Sequence, residues 1–449
     1  MNITRDRSQV RLLYGRKDLC ISVPRTATTL TSKSISTLKN PNSAIRKALN
    51  APIGTAPLAE LVRRRQPKQV AITISDITRP VPNELIVTPL LDVLHATGIR
   101  DEQVVIIIGT GMHRPSTPQE RNEMLGVDLL ERCEVIDHCG DDPDGLIQVS
   151  QDPPVSINQR FAEADFRIVT GLIEPHFMAG FSGGRKGVCP ALADCTTVRR
   201  FHSFPVLADP KSTTGLLDGN PCHTESLRVA RLVGVDFLIN VTIDRDRKLA
   251  GVYCGDLEKA HLVGAEQVGM WNSVQIDRTY DLIVTHGGGY PLDQTFYQSV
   301  KGIVTPLPAM HDQTTVLITS HCGEGIGSPP YTKTMMQWGQ DWRGFIQAIS
   351  TSHHVVKDQW QYQMHARVLA KIGVEQLRFV TDQIDTNTLK QLGVNPVPGD
   401  SPAEQRCQQF IDRFINEHPS ASIVVFPEGP YTYPLSPDFL QGTPESSVA

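Results

Sequence analysis

The sequence predicts an α/β protein of two domains, each with a mainly parallel sheet covered by helices. Short apolar runs rich in β-branched residues alternate with amphipathic stretches from about residue 69 onward. Gly, Asp or Pro bounds most of these runs, as is typical of strands in a sheet that is covered on both faces. The chain has 449 residues, which is enough for two or three domains with sizeable cores.

The apolar runs predict strands over residues 70–74, 104–108, 166–169, 237–241, 282–284, 316–318, 379–380 and 423–426. The amphipathic stretches predict helices over residues 83–98, 223–232, 256–269, 354–371 and 402–417. A short linker over residues 277–280 places a boundary near residue 275. We therefore expect an N-terminal domain over 1–275, rejoined by 430–449, and a C-terminal domain over 276–429, with the active site in the cleft between them.

Composition and charge narrow the class of protein. The net charge is −5 and no basic block stands out, which argues against a nucleic-acid partner. The nine cysteines are scattered and form no CxxC pair, so we expect a reducing cytoplasm and neither a disulfide framework nor a structural zinc site. The first residues contain no apolar secretory segment, and no run approaches 18 apolar residues, so we expect no membrane partner.

The segment over residues 171–202 concentrates chemical capacity: GLIEPHFMAGFSGGRKGVCPALADCTTVRRFH holds two histidines, one lysine and five glycines. Glycines let the backbone approach a ligand closely. The string GFSGGRKG is not a P-loop, because Arg185 precedes Lys186 and Gly187 follows it, so the hydroxyl that would hold Mg²⁺ is missing. Lys186 is a candidate for anion binding or covalent attachment; a surface glycine loop with solvated cations is the alternative.

Polar clusters follow four of the predicted strands, over residues 75–80, 109–115, 171–202 and 286–290. Ligands of open parallel sheets bind beyond the carboxyl ends of the strands, so these clusters indicate one composite site. His113, His176 and His202 lie in or beside them and are candidates for proton transfer near neutral pH, although each alone could be an ordinary buried or surface residue. No two of them have the spacing of a local zinc site.

Arg79 and Lys301 are candidates for holding a carboxylate or phosphate. Arg79 precedes Pro80, which favours an extended backbone there, and an ordinary arginine at the start of a helix is the alternative. Tyr297 and Lys301 share a face if their stretch is helical. Trp360 lies in a predicted helix, where simple core packing is the alternative.

Together these residues resemble the nickel-pincer lactate racemase family. The resemblance spans nearly the whole chain in order, through SDITRPVP, GTGMHRP, EPHFMAGFSGGRKG, His202, GNPCHTE, GGGYPLDQTFYQSVKG and DQWQ. The Lys186 segment and YPLDQTFYQSVKG are the most specific parts. The resemblance implies a nickel-pincer nucleotide, the Ni(II) complex of pyridinium-3,5-bisthiocarboxylic acid mononucleotide, attached to Lys186 by a thioamide. It also implies that His202 is the one protein ligand to nickel and that cofactor-synthesis enzymes mature the protein.

The implied reaction is racemisation or epimerisation of a 2-hydroxy acid at C2, with lactate favoured, by hydride transfer to the cofactor through a 2-keto acid. His113 and His176 are implied to act as acid and base on opposite faces of the substrate. The other implied roles are cofactor binding by Asp76, Thr78 and Arg79, carboxylate binding by Arg79, Gln298 and Lys301, and shaping of the pocket by Tyr297 and Trp360.

Three alternatives stay open at this point. Met178 follows the EPHF segment, and an adaptable methionine beside the substrate could admit a longer or more polar 2-hydroxy acid. The chain could also be a catalytically silent protein that binds a cofactor or ligand, which the intact pair of histidines disfavours. A zinc hydrolase is disfavoured by the missing ligand spacing.

Overall fold

The computed structural model describes residues 6–244, 246–352 and 354–436. The strands are β1 (Arg7–Tyr14), β2 (Lys17–Pro24), β3 (Thr28–Thr29), β4 (Val70–Ser75), β5 (Val104–Gly109), β6 (Glu134–Asp137), β7 (Leu146–Gln151), β8 (Pro154–Asn158), β9 (Phe166–Leu172), β10 (Pro175–His176), β11 (Gly180–Phe181), β12 (Phe237–Ile243), β13 (Leu249–Gly255), β14 (Ser273–Gln275), β15 (Tyr280–His286), β16 (Met310–Thr319), β17 (Leu377–Val380), β18 (Asn395–Pro396), β19 (Ile423–Val425) and β20 (Tyr433–Leu435).

The helices are α1 (Pro41–Asn50), α2 (Leu58–Arg65), α3 (Asn83–His95), α4 (Pro118–Arg132), α5 (Gln159–Glu163), α6 (Cys195–Phe201), α7 (Phe204–Ala208), α8 (Pro221–Val233), α9 (Lys259–Asn272), α10 (Phe296–Val304), α11 (Pro329–Trp338), α12 (Trp342–Thr351), α13 (Gln359–Ile372), α14 (Thr386–Gln391) and α15 (Ala403–Glu417). Within the described residues, no helix is both long and apolar enough to cross a membrane.

The chain divides into two compact units. The N-terminal unit consists of residues 34–202 and 216–271. The C-terminal unit consists of the described residues up to Lys33, residues 203–215, and the chain from Asn272 onward.

The N-terminal unit contains a six-stranded sheet in the order β13-β12-β9-β4-β5-β6. Only the pair of β12 and β13 is antiparallel, and the other neighbours are parallel. Strands such as VAITIS and VVIIIG are apolar at consecutive positions because helices cover both faces of a parallel sheet. Ile72, Ile106 and Ile239 are fully buried in its core. The polar segments that follow β4, β5 and β9 leave the carboxyl ends of adjacent strands.

The C-terminal unit contains a second six-stranded sheet, in the order β18-β17-β16-β15-β19-β3, and it is parallel throughout. The antiparallel hairpin of β1 and β2 packs into the same core as this sheet and α15. Leu12 and Ile21 from the hairpin, Leu282 from β15 and Ile411 from α15 are all fully buried there. The predicted fold class, α/β with two sheet-centred units, is confirmed.

The two compact units differ from the expected domains in three segments. The change of unit between Trp271 and Asn272 lies close to the boundary expected near residue 275. However, the described residues up to Lys33 and residues 203–215 belong to the C-terminal unit. Strand β3 extends the C-terminal sheet beside β19, and α13 holds the 203–215 segment through hydrogen bonds from Gln363 to the Phe204 carbonyl (3.0 Å) and from Arg367 to the Ser212 carbonyl (2.8 Å).

The segment expected to rejoin the N-terminal domain, residues 430–449, is described only up to residue 436. This part belongs to the C-terminal unit, because β20 pairs with β14. Residues 437–449 of that expectation lie outside the described residues. Apolar alternation identifies such short strands, but it does not identify the sheet that they join.

Candidate active site

Asp76 and His113 form a hydrogen-bonded pair beyond the carboxyl ends of β4 and β5. Asp76 is 7% exposed, and its Oδ2 accepts a hydrogen bond from His113 Nδ1 at 2.7 Å. Its Oδ1 accepts from the Thr78 backbone N–H (3.2 Å) and hydroxyl (2.5 Å). Burial by itself would raise the pKa of Asp76, but the charge and hydrogen bond of His113, with the Thr78 hydroxyl, lower it below its ordinary value. An ionised Asp76 holds the hydrogen of neutral His113 on Nδ1, which leaves the lone pair on Nε2.

His176 has the opposite tautomer. It lies in a two-stranded ribbon where β10 pairs with β11 and His176 is opposite Gly180. The buried ring accepts hydrogen bonds at Nδ1 from the backbone N–H groups of Met178 and Ala179, both at 3.3 Å. The hydrogen of the neutral ring is therefore on Nε2. Only glycine fits at position 180, where φ is +74° and a Cβ would lie 2.2 Å from the Leu216 carbonyl oxygen.

Arg79 forms an ion pair with Glu174. Their side chains are only 22% and 13% exposed, so the pair is largely withdrawn from water. Glu174 is not among the predicted site residues, although its place directly before Pro175 and His176 is a signal that could have found it. The carboxylate balances the charge of Arg79 and fixes the direction of its guanidinium.

The glycine loop around Lys186 is a tight turn that packs against side chains of β12 and α9. The Gly184 N–H donates to Asn240 Oδ1 at 2.7 Å. Gly183 and Gly184 both have positive φ, and a Cβ on either would lie within 2.7 Å of Asn240 or of the His261 ring. The close approach of these side chains requires glycine at both positions, so this part of the loop is a packed interior turn and not a solvated surface loop.

Arg185 ties the Lys186 loop to the His176 ribbon. It is 1% exposed, and its Nη2 donates to the Ala179 carbonyl at 2.7 Å. Its Nη1 lies 3.0 Å from His261 Nε2. Burial lowers the pKa of Arg185 to about 9.

The Lys186 amine is poised between its charged and neutral forms. The side chain keeps partial exposure, with Nζ 5.1 Å from the centroid of the Phe201 ring. Burial first, and then the positive charges of Arg185 and Arg79, lower the pKa of Lys186 to about 7. A neutral amine is a nucleophile, whereas an ammonium is not, so this environment suits covalent attachment.

His202 directly follows α6, and its imidazole ring is neutral. Its Nδ1 donates to the Val198 carbonyl at 2.9 Å, so the lone pair of the neutral ring is on Nε2. Burial first, and then the charge of Lys186, lower the pKa of His202 to about 3. In the part of the chain that the structure describes, no group of three or more His, Cys, Asp or Glu side chains could hold a metal ion. His202 and Lys186 therefore fit a metal-bearing group that brings its other donors with it and attaches to an amine.

Four predicted site residues lie in the C-terminal unit. Tyr297, Gln298 and Lys301 are on α10, and its helical form was the condition for the predicted common face of Tyr297 and Lys301. Trp360 on α13 is 4% exposed and donates from Nε1 to the Tyr297 hydroxyl at 2.9 Å. The neighbouring Gln361 donates to the Tyr297 carbonyl at 2.5 Å. Gln298 Oε1 is buried with no hydrogen-bond partner among the described residues, so this amide has unused hydrogen-bonding capacity.

Asn220 supports the His176 ribbon and is not among the predicted site residues. Its Nδ2 donates to the Met178 carbonyl (2.9 Å) and the Leu216 carbonyl (3.0 Å), and its Oδ1 accepts from the Cys222 N–H (2.9 Å) at the start of α8. An asparagine followed by proline at the start of a helix is the sequence signal that could have identified this capping role.

Comparisons with known proteins identify a family for the whole chain. The family models for the lactate racemase N-terminal domain and C-terminal domain match residues 14–215 and 276–430. The lactate racemase of Lactiplantibacillus plantarum is 34% identical over 390 residues, which cover 86% of this chain and 89% of that protein. The lactate racemase of Thermoanaerobacterium thermosaccharolyticum is 31% identical over 432 residues, which cover 94% of this chain and 100% of that protein.

Two solved structures are similar in fold. The lactate racemase apoprotein from T. thermosaccharolyticum aligns with a TM-score of 0.86 at 29% identity, covering 95% of this chain and all of that one. A protein from Thermotoga maritima aligns with a TM-score of 0.66 at 17% identity over 90% of this chain and all of that one, which shows a shared fold. Because both family models match and the relatives align over most of its length, the chain belongs to the lactate racemase family and is, with that family, an isomerase.

Proposed function

We propose that this chain interconverts the two enantiomers of a 2-hydroxy acid and that lactate is its substrate. Two relatives named lactate racemase, at 34% and 31% identity, support the choice of substrate. The observation that carries the chemistry is the pair of histidines with opposite tautomers. His113 has a lone pair on Nε2, and His176 has a hydrogen there. A racemase must move a proton to and from either enantiomer, so one acceptor and one donor suit the task.

The proposed cofactor is the nickel-pincer nucleotide, with Lys186 as its point of attachment and His202 as the protein ligand to nickel. When bound, this group supplies an acceptor for the hydrogen on C2 as a hydride. The C2–H bond of a 2-hydroxy acid is not acidic enough for that hydrogen to leave readily as a proton. Lys186 contributes an amine that is partly neutral near pH 7, and His202 contributes an imidazole that stays neutral. Enzymes that synthesise the cofactor are the proposed partners in maturation.

His113 is proposed to accept the hydroxyl proton of one enantiomer at Nε2. The Asp76 carboxylate, 2.7 Å from Nδ1, stabilises the imidazolium that forms. The substrate passes through a planar 2-keto acid, which has lost its chirality. His176 is proposed to exchange the proton of the other enantiomer through Nε2. Its ring is held by backbone donors, so its orientation does not depend on a mobile side chain.

The substrate carboxylate is proposed to bind Arg79, Gln298 and Lys301. Glu174 already balances the charge of Arg79, so Arg79 would contribute directed N–H donors to the carboxylate. Tyr297, anchored through its hydroxyl and its carbonyl by α13, is proposed to form a rigid wall with Trp360.

A substrate panel tests the proposal. Protein made alongside the cofactor-synthesis enzymes should interconvert D- and L-lactate from either side, faster than it interconverts 2-hydroxybutyrate or malate. If a longer or more polar acid were turned over faster than lactate, that acid would be identified as the substrate in place of lactate. If protein that carries the cofactor racemised none of these acids but bound them, the chain would be a silent binding protein.

Asp76→Asn is expected to lower kcat by about 10²-fold or more while KM changes little, because asparagine can donate towards Nδ1 and stabilise the wrong tautomer of His113. Asp101→Asn is the matched control, since Asp101 forms a 2.6 Å pair with His95 on the surface of the same unit. Steady-state kinetics, with the mass of the attached cofactor measured in each variant, separates catalysis from loading. Unchanged kcat in loaded Asp76→Asn would refute the positioning role.

A further inference from the structure

The C-terminal unit has a cavity at the amino end of β17 and around the short edge strand β18. Its volume is about 450 Å³, and its lining includes Arg378, Lys390, Phe410, Arg413, Phe414 and Glu417. These residues come from β17, α14 and α15. Tyr297 and Lys301 instead lie on α10, which follows the carboxyl end of β15 in the same parallel sheet. The cavity is therefore at the opposite edge of the sheet from the candidate substrate residues.

Cationic side chains outnumber carboxylates among the residues that line this cavity. Among residues 6–244, 246–352 and 354–436, no carboxylate forms an ion pair with Arg378, Lys390 or Arg413. The Nε of Arg378 is buried and has no hydrogen-bond partner in the same set of residues. Burial lowers the pKa of Arg378; the charge of Glu375 opposes this shift, and the smaller effect of Arg413 adds to it. An anion in the cavity would relieve the repulsion between Arg378 and Arg413.

An aromatic wall adjoins these cations. The rings of Phe410 and Phe414 lie 6.4 Å apart at an interplanar angle of 27°. The guanidinium carbon of Arg378 is 5.8 Å from the Phe410 centroid. Flat apolar surface beside converging cationic groups is the pattern of a site for a planar ligand with an anionic group. A volume of about 450 Å³ is within the range of small-molecule sites.

We propose that this cavity binds a small phosphate monoester with a planar ring, of the nucleoside monophosphate class. The phosphate would lie against Arg378, Arg413 and Lys390, and the ring against Phe410 and Phe414. Three cationic side chains outnumber the single lining carboxylate, Glu417, which favours a dianion over a monocarboxylate. The guanidinium groups also match the geometry of phosphate oxygens.

Calorimetric titration of the full chain carrying its cofactor tests the proposal with adenosine monophosphate, inorganic phosphate and adenosine as separate probes. One molecule of adenosine monophosphate should bind per chain, more tightly than either fragment, with an affinity that falls as ionic strength rises. Using loaded protein keeps the probe out of the proposed cofactor site.

Variants locate the binding. Arg378→Gln and Arg413→Gln should each lower the affinity for adenosine monophosphate about tenfold or more. Phe410→Leu should lower the affinity for adenosine monophosphate but leave the affinity for inorganic phosphate unchanged. Lys333→Gln, on the exposed surface of α11, is the matched control. Arg413 is exposed, so its variant should keep the parent Tm and remain informative if Arg378→Gln does not fold. Unchanged affinity in Arg413→Gln, or no binding of adenosine monophosphate to the parent, would overturn the proposal.

Discussion

Replacing His176 with alanine is expected to abolish racemisation, with kcat falling by about 10²–10⁴-fold, the usual contribution of a positioned acid or base. The imidazole is buried and oriented by the N–H groups of Met178 and Ala179, so no neighbouring side chain can take its place. His113→Ala is expected to have the same effect, because each histidine serves one enantiomer and interconversion needs both. A chiral assay started from D-lactate and from L-lactate measures the loss in each direction.

His95→Ala is the matched control for both variants. His95 also forms a hydrogen bond to an aspartate, Asp101, at 2.6 Å, but it lies on α3 away from the candidate site and should be dispensable. Each variant must retain the cofactor by mass, so that lost activity is not lost loading. Racemisation at the parental rate by loaded His113→Ala or His176→Ala would exclude the scheme with two proton carriers.

Lys186→Arg is expected to eliminate the covalent adduct completely. A guanidinium stays protonated in proteins and is not a nucleophile, whereas the Lys186 amine has a pKa lowered to about 7. Intact mass of protein made alongside the cofactor-synthesis enzymes should exceed the sequence mass by one cofactor, and peptide mapping should place it on Lys186. Lys259→Arg, an exposed lysine of the same unit, should keep the adduct. An adduct on any other residue would be incompatible with the proposed attachment.

The same lysine gives a readout that does not need the cofactor. In protein made without those enzymes, acylation of Lys186 by a small amine-reactive ester should rise with pH, with a midpoint near its lowered pKa of about 7. Burial, Arg185 and Arg79 all disfavour the ammonium, so the amine loses its proton at lower pH than the ordinary value of about 10.4. A midpoint close to that ordinary value would contradict the proposed electrostatic environment.

Several features of the site follow from local sequence. Runs such as VAITIS and VVIIIG are too apolar for an exposed face, which predicts buried parallel strands, and the residues that follow them must emerge at one edge of the sheet. Asp76 and His113 meet there although 37 positions separate them. The motifs around Lys186 and Tyr297 also identified the family, which the comparisons confirm.

Other features depend on packing between segments that are distant in sequence. Strands β1 to β3 and the segment 203–215 were expected in the N-terminal domain but belong to the C-terminal unit. Their apolar residues need a surface to pack against. Contacts with β19, α13 and α15 determine which unit provides that surface. Glu174 and Asn220 were missed for a related reason. Each acts through a group elsewhere in the chain, Arg79 and Met178, so its role appears only when both are in place.

The sequence by itself determined the fold class and the family. It also indicated the groups proposed to carry out the chemistry: two histidines beyond strand ends, a lysine among glycines, and a third histidine without metal-site spacing. The tertiary structure decided their states. It set opposite tautomers for His113 and His176 and lowered the pKa values of Lys186 and His202. The physical reason is that a tautomer depends on which donor or acceptor faces the ring, and a pKa depends on burial and nearby charge, and folding alone brings these together.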